Sequence, residues 1–256
     1  MRKTLLIILF SCLLLFSACS DSSAYKKYEN AYEMLEQVDS FATEYVEEAY
    51  YYWSEPDGEE VQIVEYISNQ VCRSGDEYQA IGHMSMETID DNSSSNATSG
   101  DLYICDGYQY NRTIDGSESI STRSACQPDF AFRIAVDGTI QFPKKVIAEM
   151  HIEDTSEGEL LVFILDEEKY FDYRFPDIDE QTLLTAYGEP PIYTVLLDDE
   201  GRLKEATGHF YLVGKGEDPS VWKHQYSISF TQYGDIELDF SSLKRDDYMD
   251  LPETHD

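Results

Sequence analysis

The chain has 256 residues, 42% of them hydrophobic, and a formal net charge of −33 at pH 7. The length suits one large domain or two small ones, and the hydrophobic fraction argues against a globally disordered chain. The charge excludes nucleic acid as a partner, because affinity for phosphates depends on lysine and arginine. We interpret the acidity as a solvated exterior.

The N-terminal segment has the pattern of a bacterial lipoprotein signal. A short basic head precedes an apolar core within residues 5–16, which is too short to span a bilayer stably. The core ends at Phe16-Ser17-Ala18-Cys19, which resembles the lipobox, where the cysteine receives a lipid and the preceding peptide is removed. A plain secretory signal would need no cysteine there, and no stop-transfer charge cluster follows that would indicate a transmembrane anchor.

This signal predicts where the protein is located. We predict a signal peptide at residues 1–18, a lipid on Cys19 and a polar tether at 19–23. The protein would then lie at the cell membrane, facing outside the cytoplasm. The lipid alone would hold it there, because an anionic membrane surface repels so acidic a domain.

Hydrophobic periodicity predicts a helix followed by strands. Apolar residues recur at steps of three and four between Tyr25 and Val38, as on one face of a helix, and Asp39-Ser40 ends the run.

The segment after this helix is predicted to form strands joined by turns and loops. Asp106-Gly107 is a favoured two-residue hairpin turn, whereas the Ser/Asn-rich residues 91–100 predict a mobile loop. Aromatic and β-branched runs predict strands at Phe41–Trp53, Val61–Cys72, Tyr78–Ile89, Leu102–Cys105 and Tyr108–Ile114.

The middle of the chain gives weaker signals. Residues 116–125 are polar and predict an irregular connection, and residues 142–150 fit either a short helix or a connector. Leu160–Leu165 is apolar at every position, which is typical of a strand covered on both faces. Asp179 is expected to cap a short helix that buries Leu183, Leu184 and Tyr187.

Strand signals return in the C-terminal third. Ile192–Leu197 and Arg202–Val213 form a predicted hairpin, and apolar and polar residues alternate in Lys223–Gln232. The same alternation continues at Ile236, Leu238 and Phe240.

Together these elements predict an α+β fold built on a long antiparallel sheet. We predict a single domain at residues 24–243, followed by an acidic C-terminal tail at 244–256 that is frayed.

The cysteines suggest one disulfide. Cys19 is expected to carry the lipid, which leaves an odd number of thiols in the domain. Outside the cytoplasm this favours one disulfide and one free thiol. Cys105–Cys126 closes the shortest loop and is favoured, with Cys72 as the alternative partner. Neither C-x-x-C spacing nor a neighbouring histidine indicates a zinc site.

No enzyme signature is found in the sequence. There is no G-x-S-x-G elbow and no P-loop, and carboxylate pairs such as Asp198-Asp199 are expected in so acidic a chain. We therefore predict no catalytic residue, no metal and no cofactor. The histidines stand singly, without the spacing of a metal-binding pair, at positions 83, 151, 209, 224 and 255.

Three segments carry a resemblance to a known family. They are the lipobox with the helix that runs through Tyr32–Phe41, the hairpin at Leu102–Asn111 with its aromatic residues, and the strands at Tyr193–His209 and Phe230–Phe240. In this order they resemble the LolA/LppX-like lipoprotein superfamily, in particular its poorly characterised Gram-positive members.

The resemblance implies a strongly curved antiparallel β half-barrel whose concave face is covered by helices. In characterised relatives that face holds a lipid or a lipoprotein acyl chain, so we expect a non-enzymatic binding protein for a hydrophobic or lipid-like ligand. The alternative is a cell-envelope protein–protein interaction module, in which the first helix fills the space and no ligand binds. A secreted hydrolase is a third, less favoured class. The expected apolar lining comes from Leu160–Leu165, Ile228, Phe230, Ile236, Leu238 and Phe240.

Overall fold

The structure, a computed structural model, describes residues 23–53, 60–90, 95–136, 142–174, 190–213 and 220–251. Within these ranges twelve strands join in one sheet, and helices pack on one of its faces. The predicted α+β class with a mainly antiparallel sheet is thereby confirmed.

The first half of the sheet is a meander of six antiparallel strands. Asp106 and Gly107 have φ angles of 54° and 75°, the left-handed conformation that the predicted tight turn between the fourth and fifth strands requires. The six strands are β1 (Ser40–Trp53), β2 (Glu60–Ser74), β3 (Glu77–Asp90), β4 (Ser95–Cys105), β5 (Tyr108–Asp115) and β6 (Glu118–Ala125).

The second half is another antiparallel meander, and its last strand pairs with β1. Its strands are β7 (Ile147–Thr155), β8 (Gly158–Leu165), β9 (Ile192–Leu197), β10 (Leu203–Val213) and β11 (Ser220–Tyr233). A short strand, β12 (Met249–Asp250), pairs in parallel with β6. The outermost strands, β12 and β7, do not pair with each other in the described ranges, so the sheet is open.

Three helices are described, and all pack on the same sheet face, here named the inner face. They are α1 (residues 23–36), α2 (Phe130–Val136) and α3 (Glu167–Arg174). Because side chains alternate along a strand, every second residue contributes to this face. One row across the sheet, Phe41, Val71, Ala80 and Ile104, is 0–2% exposed.

The C-terminal segment, residues 234–251, crosses the opposite, outer face, and we name it the C-terminal strap. The Cys72 Sγ donates to the carbonyl oxygen of Ile236 at 3.0 Å. Further along, the rings of Tyr110 and Tyr248 meet edge to face, with centroids 5.4 Å apart. The strap ends as β12, where Leu251 N–H donates to the Arg123 carbonyl oxygen.

Two predictions for the C-terminus are therefore wrong. The alternation at Ile236, Leu238 and Phe240 does not form a strand or line the inner face, because these residues belong to the strap on the outer face. The tail is not frayed through residue 251, since β12 and an Arg123–Asp250 ion pair hold it. Pairing with the sheet edge decides its conformation, and a local sequence pattern does not contain that information.

Other differences fall in the polar stretches. Residues 118–125 form β6, although they were predicted to be irregular, and the predicted mobile loop is strand from Ser95 onwards. Both stretches gain backbone hydrogen bonds from neighbouring strands, which outweigh their low intrinsic strand preference. Residues 142–150 become a 3₁₀ turn that leads into β7. The helix predicted at Asp179 lies outside the described residues.

Candidate ligand-binding site

One part of the inner face is closely packed under α1. Tyr28 of α1 is 2% exposed, and its ring centroid lies 5.4 Å from that of Phe142 and 5.3 Å from that of Phe163. Phe142 in turn meets Tyr193 edge to face, with centroids 5.2 Å apart. These rings fill the space between α1 and strands β8 and β9, so this part of the face is protein core.

Another part of the same face, on β1–β3, is only half-buried. Strand register places its side chains in two adjacent rows, one of Tyr45, Ile67 and Met84 and one of Glu47, Glu65 and Met86. Ile67, Met84 and Met86 are partly exposed and do not belong to the buried core. We name these six residues the open inner surface.

A hydrogen-bonded carboxylate, that of Glu47, lies at the β1 edge of this surface. Tyr45 Oη donates to Glu47 Oε2 at 2.6 Å, and His224 Nδ1 lies 2.8 Å from Glu47 Oε1. The His224 ring stacks on Phe210, with centroids 4.9 Å apart and planes 11° from parallel. Three neighbours therefore fix Glu47 and its partner histidine in one orientation.

Glu65 faces Glu47 directly across the β1–β2 pair. Burial, together with the nearby charge of Glu47, raises the pKa of Glu65. Like charges at directly opposite positions of a sheet are unfavourable, and ionisable groups with raised pKa values concentrate at functional sites. The pair is therefore the best candidate in the described chain for contacting a polar group of a ligand.

The carboxyl groups of Glu47 and Glu65 can accept hydrogen bonds from a bound molecule or share a proton with it. Among the described residues, no set of three or more His, Cys, Asp or Glu side chains is arranged to hold a metal ion. The aliphatic side chains around the pair offer an apolar contact surface. The arrangement thus suits an amphiphilic molecule with a hydrogen-bond donor at its polar end.

The residues singled out in the sequence lie elsewhere. Cys19 is outside the described residues, and Cys72, Cys105 and Cys126 are free thiols in the structure. Cys126 N–H donates to the carbonyl oxygen of Gly107 at 3.0 Å, which places it beside the hairpin turn that follows Cys105. The favoured disulfide stays a prediction. Burial raises the pKa of all three thiols, which makes them poor nucleophiles.

Sequence reasoning missed the Glu47–His224 pair because the two residues are 177 positions apart. A signal was nevertheless present in the sequence. His224 occupies an inward position in an alternating strand, and Glu47 and Glu65 interrupt the apolar side of two other predicted strands. Ionisable residues on a face that is otherwise apolar indicate either a buried pair or a binding site.

Glu65→Gln should stabilise the protein at pH 7 by up to about 1 kcal/mol, because it removes a partly buried charge and its repulsion from Glu47. A carboxyl group whose pKa is raised by folding lowers stability once the pH exceeds its unfolded-state pKa. The increase in the free energy of unfolding should therefore shrink towards zero as the pH falls to about 4. Urea unfolding at both pH values measures it.

The control is Glu87→Gln, at an exposed position on the outer face of β3. It should change the free energy of unfolding by less than about 0.5 kcal/mol. If the Glu65→Gln variant is no more stable than the wild type at pH 7, the charge of Glu65 does not destabilise the folded protein.

No family model matches the chain, and no curated protein matches it. Among solved structures the chain is similar to a beta-barrel-like protein of domain of unknown function DUF1849 from Brucella abortus. That match has 9% identity and a TM-score of 0.21, and it covers 76% of this chain and 100% of the other. A TM-score this low transfers neither fold nor function.

None of the described helices is long and apolar enough to cross a bilayer.

Proposed function

We propose that the chain is a non-enzymatic, lipid-anchored binding protein on the outer side of the cell membrane. It holds a hydrophobic or lipid-like ligand on the open inner surface of a LolA-like half-barrel. The observation that carries this proposal is the partly exposed apolar group of Ile67, Met84 and Met86, on a face that helices bury elsewhere.

Burial energetics support a ligand at this place. These side chains are already partly buried, so covering each one adds a fraction of the about 1.5–3 kcal/mol that full burial of such a side chain is worth. The two methionines are flexible and polarisable, and they adapt their shape to irregular apolar partners. An open sheet of twelve strands exceeds the size at which sheets commonly curl, split or flatten, and curling gives the half-barrel form.

The packing under α1 favours a second candidate function. Tyr28, Ala31, Tyr32 and Leu35 are 0–4% exposed, so α1 fills its part of the inner face. An envelope protein–protein interaction module would have this kind of packed core. The two functions differ in one property, which is whether the open inner surface takes up an apolar molecule.

A fluorescent fatty-acid probe tests the proposal on protein expressed without the predicted signal peptide and Cys19. The wild type should bind the probe saturably, and organic extraction of the purified protein should release a copurified lipid. Met84→Asp should weaken probe binding by about tenfold or more, because it places a charge in the apolar contact.

Ser85→Asp is the matched control, since Ser85 lies on the outer face of the same strand. It should bind the probe like the wild type. If no lipid copurifies and the probe does not bind saturably, the carrier function is wrong and the interaction module takes its place.

A further inference from the structure

A separate groove lies between α1 and α3, away from the open inner surface. Its volume is about 400 Å³, which is within the range of small-molecule sites. Five aromatic residues border it: Tyr28, Tyr32 and Phe142 are 2–4% exposed and belong to the core beneath it, and Tyr25 and Tyr173 are its accessible rings. Neither Tyr25 nor Tyr173 is fully buried, and Tyr173 is 41% exposed. The groove is therefore open to a molecule from solvent.

Three carboxylates edge the groove. Glu29, Glu33 and Glu36 follow one another along α1 at steps of four and three, which places them on one side of the helix. All three are exposed, and none forms an ion pair in the described part of the chain. Like charges at this spacing repel one another, so a cation in the groove would relieve the repulsion.

The protein already places one ammonium group over a wall of this groove. Lys144 Nζ lies 5.9 Å from the centroid of the Tyr25 ring, which is within the reach of a cation–π interaction. The Tyr25 hydroxyl donates to the carbonyl oxygen of Phe142 at 3.3 Å, which holds the ring in place. Lys144 itself does not line the groove, so this contact shows that the Tyr25 ring is accessible to an ammonium group.

We propose that this groove binds an organic ammonium ion. Ring faces attract the cation through their quadrupoles, and the carboxylates supply complementary charge. An anion would be repelled by three glutamates, and a bare metal ion would find ring carbons where it needs oxygen ligands. A quaternary or primary ammonium group with a small organic body satisfies both the aromatic walls and the acidic edge.

Choline and its neutral isostere 3,3-dimethylbutan-1-ol provide the direct test, because they have nearly the same shape and differ in charge. The purified full chain in a non-ionic detergent is titrated with each compound by saturation-transfer difference NMR. Choline should bind saturably, and the isostere should bind about tenfold more weakly or less. Equal binding of the two compounds, or no saturable choline signal, would overturn the proposal.

Variants identify the groove as the place of binding. Tyr25→Leu and Glu33→Gln should each weaken choline binding by about three- to tenfold, because each removes one attractive element. Glu33 is exposed, so Glu33→Gln keeps the fold, and thermal unfolding checks both proteins. Glu87→Gln, on the distant strand β3, serves as the control and should bind like the wild type. Wild-type affinity in both groove variants would contradict the assignment.

Discussion

Phe163→Ala is expected to lower the free energy of unfolding by about 4 kcal/mol. The Phe163 side chain is 0% exposed, and it lies on β8 directly opposite Tyr193 of β9. Its ring touches Tyr28 of α1, and it meets Phe142 edge to face at 5.5 Å. Alanine would remove these contacts and leave a cavity that rigid aromatic neighbours cannot close.

Urea unfolding followed by circular dichroism measures this loss. The slope of the unfolding free energy against denaturant should stay unchanged, because the folded state keeps its compactness. Ile120→Ala is the control, since Ile120 is 57% exposed on β6, and its cost should be below about 0.5 kcal/mol. A Phe163→Ala cost below about 1.5 kcal/mol would show that α1 does not depend on this cluster.

The same cluster explains why α1 was predictable from sequence. Tyr28, Tyr32 and Leu35 follow the helical period, and the structure buries all three, because one stripe of the helix faces the sheet. The long strands β1–β3 were predictable for a different reason. Their runs of aromatic and β-branched residues favour strands, and turn residues separate the runs.

Strands without an apolar side were not predictable. β6 (Glu118–Ala125) carries mainly serine and charged residues, so its sequence has no inward pattern. It is a strand because β5 on one side and β12 on the other satisfy its backbone groups. The C-terminal strap shows the opposite mismatch. Its apolar residues alternate as in a strand, but residues 234–239 pair with no strand and do not form one.

The candidate site depends on the longest-range pairing in the chain. β1 and β11 pair along their whole length, and this brings Glu47 next to Tyr226 and within contact of His224. The inward positions of Ile228 and Phe230 were predicted from alternation and are confirmed by their burial. The identity of the neighbouring strand was not predictable, because no local signal specifies which strand of one meander joins the other.

The largest effect on function is expected from Cys19→Ala, which should abolish both lipid attachment and stable membrane residence. One acyl chain gives only marginal membrane binding, whereas two give stable anchoring, so a lipidated Cys19 should carry at least two chains. The rest of the protein offers no substitute, since a domain in a chain with a net charge of −33 is repelled by an anionic membrane.

Metabolic labelling with a fatty-acid analogue, followed by membrane fractionation, measures both properties. The wild type should be labelled and sediment with membranes, and Cys19→Ala should lose the label. Cys12→Ser is the matched control, because Cys12 lies in the same N-terminal segment but outside the lipobox pattern, and it should be labelled like the wild type. If Cys19→Ala is labelled equally and stays with the membrane, the lipobox interpretation is wrong. The open inner surface would then have to be tested as the site of a freely secreted protein.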